Sequence, residues 1–571
     1  MHNLNIFFFR LTLFTLIFLL SSINIFSQNI FSQPSFKNYS NVFSKKDSLR
    51  GYLNEYRSIY DVKFYDLNII IDDKKYELIS SYNIISFLAN NNIENKIQID
   101  LAYNMNISSI EFEGKKLNFE REHNAVYIYF NRLIKQDEIV EIKINYHGKP
   151  RKAVNPPWDG GFSWSKDKNG KAWIGVSCQG LGASTWWPCK DHQSDEPDSM
   201  RITYTVRSNL ETISNGNLKK QFYEWSSELN DSVNVTEWFV SYPINNYNVT
   251  FYIGDYKKIS DHYISSNDTL SLNYYVLSYN VEKAKKHFEQ VKPMMSCFEL
   301  YFGKYPFWND GYALIETSYL GMEHQSAIAY GNNFLPGYYG NKSFIDNLEF
   351  DFIIIHETGH EWWGNSITTN DIADMWVHEG FCTYAEALYV ECIYGYDKML
   401  SYVNNQKNNV KNDKPIIGPY YVNKKGSNDM YSKGSLMLHT IRNIINDDDL
   451  WFNIIKDIAI KFQHSSINGA DIINFINSRI ELDLTSFFNQ YLNYKDIPTF
   501  VYKIEKQGRN YVILYKWIAI KDFNMPIVIS NGLNDYRIYP EKNWKELNLG
   551  SIDIHDLHIR NDLFYINLKK L

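Results

Sequence analysis

Apolar and polar residues alternate along much of the N-terminal half of the chain. Every second residue from Tyr65 to Ile71 is apolar, and a second alternating stretch from Ile110 to Phe119 is interrupted at Gly114. Similar alternation recurs to about residue 256. A period of two residues is typical of strands that bury one face, and a glycine between two such runs is typical of a hairpin. The pattern therefore predicts an N-terminal β domain over residues 51–260.

Between about residues 281 and 491 the apolar residues recur at the spacing of helices, and from Phe500 the alternation of strands returns. We therefore predict a multi-domain α+β protein. In this prediction an α/β domain over residues 261–495 follows the β domain, and a short C-terminal β-sandwich occupies residues 496–571.

The first residues have the features of a targeting segment. An apolar run from Leu11 to Leu20 follows Arg10 and precedes a stretch rich in serine. This arrangement is typical of a secretory signal peptide, which we predict over residues 1–28, followed by a polar linker over residues 29–50. The run is short for a membrane span, so an uncleaved membrane anchor is the less favoured alternative. We expect an exported protein, either periplasmic or secreted.

Charge and cysteine content narrow the class of protein. The net charge of −7 lacks the basic excess of nucleic-acid-binding proteins, and we expect neither a nucleic-acid partner nor an obligate protein partner. The five cysteines are too few and too scattered for a disulfide framework, and an odd number leaves at least one unpaired. We therefore expect small, buried core residues at these positions, which are Cys178, Cys189, Cys297, Cys382 and Cys392.

The strongest chemical signal is the pentapeptide HETGH at residues 356–360. In a helix, His356 and His360 share one face and can bind one zinc ion, each at roughly 2.0–2.1 Å. Glu357 lies about 100° around the helix from His356, which directs it towards a metal-bound water. A catalytic zinc site needs a third protein ligand and an open position. Glu379 meets this need, because it follows the second histidine after eighteen residues on a second predicted helix.

The flanking residues favour a real site over a chance match. The run from Phe352 to Ile355 is apolar, and Gly364 and Asn365 provide a stop, so the pentapeptide belongs to a helix packed on a core. Glu386 lies seven residues after Glu379 on the same predicted helix face. It either accepts a hydrogen bond from a ligand histidine or is a solvated surface carboxylate, and the sequence leaves both readings open.

These residues resemble the M1 family of gluzincin aminopeptidases, which includes aminopeptidase N and leukotriene A4 hydrolase. The zinc motif with its eighteen-residue spacer, WxxEG around Glu379 and WWGN after His360 are similar to that family. The segment LGMEH at residues 320–324 is similar to the family motif GxMEN, and YSKG at residues 431–434 matches the family motif YxKG. The resemblance implies a saddle-like N-terminal domain, a thermolysin-like catalytic domain and the C-terminal β-sandwich.

The resemblance also assigns roles to individual residues. It implies one Zn²⁺ per chain held by the three ligands, with Glu357 as general base and Tyr431 as the donor that stabilises the oxyanion. Glu323 and Gln179 would bind the free ammonium of a peptide. Gly321 and Met322 would lie along the extended substrate. His324 replaces the usual asparagine, and we expect its imidazolium to compete for Glu323 at low pH.

We therefore predict a zinc aminopeptidase that acts on peptides. Two alternatives stay open: a zinc endopeptidase, as in other proteins with this zinc motif, and a non-catalytic peptide-binding protein of the same fold. Epoxide hydrolysis, found in one branch of the family, is not expected, because Gly426 stands where that branch has a second tyrosine.

Overall fold

The computed structural model describes residues 43–266 and 268–571. The predicted signal peptide, residues 1–28, lies outside these residues, as does most of the predicted linker. The end of that linker is not irregular, because helix α1 spans Lys45–Gly51. Arg50 holds this helix in place by donating to the carbonyl oxygen of Gly180 at 2.7 Å and pairing with Asp191 at 3.3 Å. Within the described residues no helix combines the length and apolar content needed to cross a membrane.

A short helix, α2 (Glu55–Ser58), leads into a domain built from strands. The strands are β1 (Tyr60–Asp72), β2 (Glu77–Ala89), β3 (Lys96–Asp100), β4 (Met105–Phe112), β5 (Lys115–Lys116), β6 (Asn118–Glu122), β7 (Ala125–Tyr129), β8 (Ile139–Gly148), β9 (Gly161–Lys166), β10 (Ala172–Ser177), β11 (Ser199–Arg207), β12 (Glu211–Ser214), β13 (Asn217–Ser226), β14 (Asp231–Val240) and β15 (Phe251–Gly254).

Three sheets share these strands, and most of their buried apolar residues belong to one hydrophobic cluster. An eight-stranded sheet has the order β13-β14-β11-β1-β2-β8-β4-β5, a four-stranded sheet the order β12-β15-β10-β9, and a three-stranded sheet the order β3-β7-β6. Burial alternates along β1, as the sequence pattern predicts. The predicted hairpin is the β4–β5 connection, where Glu113 and Gly114 have φ angles of 50° and 74°.

A five-stranded sheet leads into the zinc helix. It contains β16 (Tyr256–Ser265), β17 (Asp268–Leu277), β18 (Tyr312–Glu316), β19 (Gly321–Met322) and β20 (Ile328–Tyr330), in the order β16-β17-β18-β20-β19. The predicted boundary at residue 260 falls inside β16. The helical prediction for residues 312–330 is wrong, because every residue of β18 is buried and the strand shows no alternation.

Helices surround the zinc motif and form the rest of this region. Asp351 begins the zinc helix, because its side chain accepts hydrogen bonds from the backbone N–H groups of Ile353 and Ile354. Gly395, with φ of 88°, ends the second catalytic helix as predicted. The helices are α3 (Val281–His287), α4 (Val291–Phe302), α5 (Phe352–Gly359), α6 (Trp376–Tyr394), α7 (Tyr396–Asn405), α8 (Ser432–Ile445), α9 (Asp448–Lys461), α10 (Gly469–Asn477) and α11 (Thr485–Asn493), and β21 (Ile367–Thr369) pairs with β22 (Ser465–Ile467).

The cysteine prediction is wrong for one pair. Cys297 of α4 and Cys392 of α6 form a disulfide across a separation of 95 residues, with their Cα atoms 6.0 Å apart. Packing of the two helices brings these residues together, and no local sequence pattern predicts this contact. The other three cysteines are buried thiols, as expected.

Two small sheets form the C-terminal part. One has the order β27-β24-β23-β29 and the other β26-β25-β28. Residues of both sheets belong to the same hydrophobic cluster as helices α5 and α6, so the β-sandwich packs on the helical core. The strands are β23 (Thr499–Gln507), β24 (Asn510–Ile518), β25 (Ile527–Ser530), β26 (Asp535–Ile538), β27 (Lys545–Gly550), β28 (His558–Ile559) and β29 (Asn567–Lys570).

Candidate active site

Helices α5 and α6 bring the three predicted zinc ligands together. His356 Nε2 lies 3.3 Å from His360 Nε2 and 3.7 Å from Glu379 Oε2, and His360 Nε2 lies 3.4 Å from the same oxygen. Donor atoms around a tetrahedral zinc ion at 2.0–2.1 Å are separated by about 3.3 Å. Glu379 Oε2 is buried and has no hydrogen-bond donor. Two imidazoles and one unpaired carboxylate oxygen at these distances fit a zinc ion.

The other ring nitrogens of the two histidines are held by acceptors. His356 Nδ1 lies 2.6 Å from Glu386 Oε1, and His360 Nδ1 lies 2.9 Å from the carbonyl oxygen of Trp363. Tyr402 donates to the second oxygen of Glu386. Of the two alternatives for Glu386, the structure therefore shows the one in which it forms a hydrogen bond with His356, a predicted zinc ligand. Tyr402 is a contributor that the sequence did not reveal, because no motif marks it.

The electrostatics of the site favour a charged carboxylate among the ligands. Burial alone would raise the pKa of Glu379, but the adjacent imidazoles of His356 and His360 hold that pKa well below its usual range. Burial raises the pKa of Glu357 to about 7, against the lowering effect of His356. A carboxylate with a pKa near neutrality is suited to accepting a proton and then returning it.

The lack of a side chain at Gly321 leaves space for the Glu357 carboxylate. A Cβ atom on residue 321 would lie 2.8 Å from Glu357 Oε1 and 2.7 Å from Ile353 Cγ2. Strand β19 therefore approaches α5 so closely that only glycine fits. β19 is also an edge strand of its sheet, a position at which an extended peptide can add a strand.

A buried carboxylate lies beside the zinc ligands. Glu323 is 3% exposed, and its Oε1 accepts hydrogen bonds from Gln179 Nε2 at 2.6 Å and from the Tyr247 hydroxyl at 3.1 Å. The Gln179 amide nitrogen is also 3.5 Å from Glu379 Oε1. Asn365 of the WWGN segment donates to the Glu323 carbonyl oxygen at 2.8 Å and fixes its backbone. No sequence motif marks Tyr247.

Tyr431 also contacts Glu379. Its hydroxyl donates to Glu379 Oε1 at 2.8 Å, and its ring centroid is 6.1 Å from that of His356. Burial and the nearby carboxylates raise its pKa well above the usual range, so the phenol stays protonated. Lys433 fixes this turn by donating to the carbonyl oxygens of Tyr494 and Lys495, both at 3.0 Å.

Two residues of the LGMEH segment differ from the expectations. The Met322 side chain is buried in the core of the N-terminal β domain, so a substrate would meet only its backbone. The expected competition of His324 for Glu323 is wrong. His324 is fully buried, its Nδ1 lies 2.6 Å from the Tyr252 hydroxyl, and burial lowers its pKa to about 3. The ring is therefore neutral throughout the usual histidine range.

Comparison with known proteins agrees with this site. Residues 286–491 match the peptidase family M1 domain. A probable aminopeptidase of Sulfurisphaera tokodaii is 21% identical over 464 residues, which cover 76% of this chain and 55% of the relative. Leucyl aminopeptidase of Saccharolobus solfataricus is 22% identical over 411 residues, 70% of this chain and 49% of the relative. The chain thus spans about half the length of these curated relatives.

Solved structures share the fold. The M1 zinc metallopeptidase of Deinococcus radiodurans superposes with a TM-score of 0.63 at 17% identity, covering 77% of this chain and 94% of the other. A mutant of that enzyme was solved with a Tyr-Ser-Ala substrate. Legionella pneumophila aminopeptidase A, in complex with aspartic acid, gives a TM-score of 0.73 at 16% identity, covering 90% of this chain and 60% of the other.

Proposed function

We propose that this chain, which carries the peptidase family M1 domain in residues 286–491, is a zinc-dependent aminopeptidase that removes the N-terminal residue of peptides. The observation that carries the proposal is the position of Glu323. Its buried carboxylate and the donor atoms of Glu357 and His360 all lie within 4.8 Å of one another. A buried carboxylate at this place binds a cation, and the substrate cation one residue from the scissile carbonyl is the free N-terminal ammonium.

Each residue of the site then has a step to perform. His356, His360 and Glu379 would hold one zinc ion per chain, which when bound polarises the scissile carbonyl and acidifies water. Glu357 takes a proton from the attacking water and delivers it to the leaving amine. The Tyr431 hydroxyl donates a hydrogen bond to the oxyanion that develops on the carbonyl oxygen.

The ammonium subsite separates this function from its alternatives. An endopeptidase must admit chain on both sides of the scissile bond, whereas Gln179 and Tyr247 close around Glu323 and leave its charge to be paired by a free N-terminus. A non-catalytic binding protein would not need Glu357. In this chain the Glu357 carboxylate is present and lies within 4.8 Å of donor atoms of both Glu323 and His360, beside the zinc triad.

The test uses purified protein with aminoacyl fluorogenic substrates and with peptides that differ only in N-acetylation. We expect zinc-dependent hydrolysis of the free peptides, which a chelator abolishes and added zinc restores, and no hydrolysis of the acetylated ones. The Glu323→Ala variant should lose roughly tens- to thousands-fold in kcat/KM, because breaking a desolvated ion pair costs about 2–5 kcal/mol. Equal turnover of free and acetylated peptides would identify an endopeptidase, and zinc binding without turnover would identify a binding protein.

We also propose that the protein is exported, to the periplasm or the medium. The apolar run at residues 11–20 supports this location. So does the Cys297–Cys392 disulfide, since disulfides persist in oxidising compartments. N-terminal sequencing of the protein recovered from each cell fraction tests the proposal. A start near residue 29 is expected, and an intact N-terminus in the membrane fraction would indicate an anchor instead.

A further inference from the structure

Three aromatic side chains form a partly exposed surface next to zinc ligand His356. We name Tyr338, Phe344 and Phe352 the aromatic cluster. The Phe352 ring stacks on the His356 imidazole with centroids 5.4 Å apart and planes 15° apart. Phe344 lies 4.8 Å from Phe352 and 5.2 Å from Tyr338, measured between centroids. Phe344 remains 38% exposed, which distinguishes this cluster from the fully buried aromatic core.

The aromatic cluster and the ammonium subsite lie at opposite ends of the zinc helix. Phe352, His356 and His360 follow one another at intervals of four residues, so they share one helix face and are separated by about 6 Å per step along the axis. Glu323 lies at the His360 end, where its carboxylate is within 4.8 Å of the His360 donor atom. Phe352 is the first residue of α5 and marks the other end.

The positions of the ammonium subsite and the aromatic cluster determine the direction in which a bound peptide runs along α5. A peptide whose ammonium contacts Glu323 and whose scissile carbonyl lies at the zinc ligands continues towards the start of α5. The side chain of its second residue, the first of the leaving peptide, then meets the aromatic cluster. Glu357 is also close to this surface, since its charge contributes, after burial and Tyr339, to raising the pKa of Tyr338.

The loop that carries Tyr338 is held rigidly to the zinc helix. The Asn332 side chain donates to the carbonyl oxygens of Leu335 and Gly337, both at 2.8 Å, and to Asp351 at 2.9 Å. The Gly337 N–H donates to the Phe350 carbonyl oxygen at 2.7 Å. Because Asp351 also caps α5, the loop and the zinc helix share one anchor. The backbone that carries Tyr338 is thus fixed relative to Phe352, and preorganisation of this kind lowers the entropic cost of binding.

We propose that the aromatic cluster binds the side chain of the second residue and selects peptides in which that residue is aromatic or large and aliphatic. The proposal rests on the aminopeptidase function above and adds a substrate class to it. An apolar side chain gains burial against the three rings. An acidic second residue would place a charge on an apolar surface near the Glu357 carboxylate, so such peptides should be poor substrates.

The test compares the tripeptides Leu-Phe-Ala, Leu-Gly-Ala and Leu-Asp-Ala, together with leucinamide, which has no second residue. We expect kcat/KM of the wild-type enzyme to be roughly 10- to 100-fold higher for the phenylalanine peptide than for the glycine peptide, and lowest for the aspartate peptide. Leucinamide hydrolysis reports the proposed function alone. Absence of hydrolysis of leucinamide and of the amides of other amino acids in the zinc-loaded enzyme would overturn the aminopeptidase function, and this proposal with it.

Variants locate the selectivity. Phe344→Ala should lower the phenylalanine-to-glycine ratio of kcat/KM by about 10-fold. Phe352→Leu, which keeps an apolar side chain beside His356, should lower it less. Leu335→Ala is the matched control, because Leu335 is a similarly exposed apolar residue of the same loop at 40% exposure, outside the cluster. Leucinamide turnover with no preference for the second residue, or a ratio unchanged in Phe344→Ala, would overturn the proposal.

Discussion

Gly380 of α6 and Gly434 of α8 touch backbone to backbone beside the zinc site. A Cβ atom added to Gly434 would lie 2.9 Å from the Cα atom of Gly380, closer than such atoms approach in folded proteins. Gly380 directly follows Glu379, a predicted zinc ligand, and Gly434 lies three residues after Tyr431. The close helix approach therefore sets the 2.8 Å contact between the Tyr431 hydroxyl and Glu379.

We predict that Gly434→Ala destabilises the protein and reduces its activity. Alanine is normally more stabilising than glycine in the interior of a helix. Here the clash of the new methyl group with the Gly380 backbone should outweigh that gain and destabilise the protein by about 1–3 kcal/mol. Urea unfolding measures the stability. A decrease in kcat reports the displacement of Tyr431 from Glu379. Ser432→Ala, on the same turn of α8, serves as the control. A Gly434→Ala protein as stable and active as wild type would contradict the close packing.

The roles of two glutamates should separate when zinc content and turnover are measured together. Glu357→Gln should retain the metal but lower kcat by about 10²–10⁴-fold or more, since the general base is lost. Glu379→Ala should lose zinc as well as activity, because a ligand is removed. Metal analysis of both variants decides the assignment. Zinc loss in Glu357→Gln, or full zinc content and activity in Glu379→Ala, would show that the roles are wrong.

Glu386 should control zinc affinity without touching the metal. Its carboxylate fixes the ring of His356 through the 2.6 Å contact to Nδ1, so Glu386→Ala should weaken zinc binding by roughly 10- to 100-fold. Tyr402→Phe removes only the hydrogen bond to Glu386 and should have a smaller effect in the same direction. Competition with a chromogenic chelator measures both affinities. Unchanged affinity in Glu386→Ala would refute the orienting role.

His324 should make the fold sensitive to acid. Its folded-state pKa of about 3 lies below the value of about 6.5 expected in the unfolded chain. Between these values the unfolded state binds a proton that the folded state does not. The stability contributed by the neutral ring is therefore complete above pH 6.5 and falls by about 1.4 kcal/mol per pH unit as pH decreases towards 3.

We therefore predict that His324→Asn removes this acid-dependent loss. The free energy of unfolding of wild type relative to the variant should decline by about 1.4 kcal/mol per pH unit between pH 6 and pH 4, as measured by urea titration at each pH. Parallel pH profiles for the two proteins would mean that the ring is protonated in the folded state.

The sequence by itself identified His356, His360 and Glu379, which the structure brings together, and the succession of a strand-rich, a helical and a second strand-rich region. His356 and His360 share a face wherever that segment is helical, and Glu379 lies on the next helix, so helix geometry and a short connection are enough to predict the ligands. The alternation in β1 and the helical spacing of α6 are likewise local patterns. The periodicity of apolar residues predicts secondary structure because helices and strands repeat over a few neighbouring residues.

Only the tertiary structure decided which distant residues complete the site. Tyr247 reaches Glu323 from the N-terminal β domain, and Tyr402 reaches Glu386 from α7. The neutral state of His324 follows from its burial against Tyr252, although a histidine beside Glu323 had suggested a charge. These contacts depend on how sheets and helices pack across long sequence separations, and side-chain packing in three dimensions leaves no periodic signal along the chain.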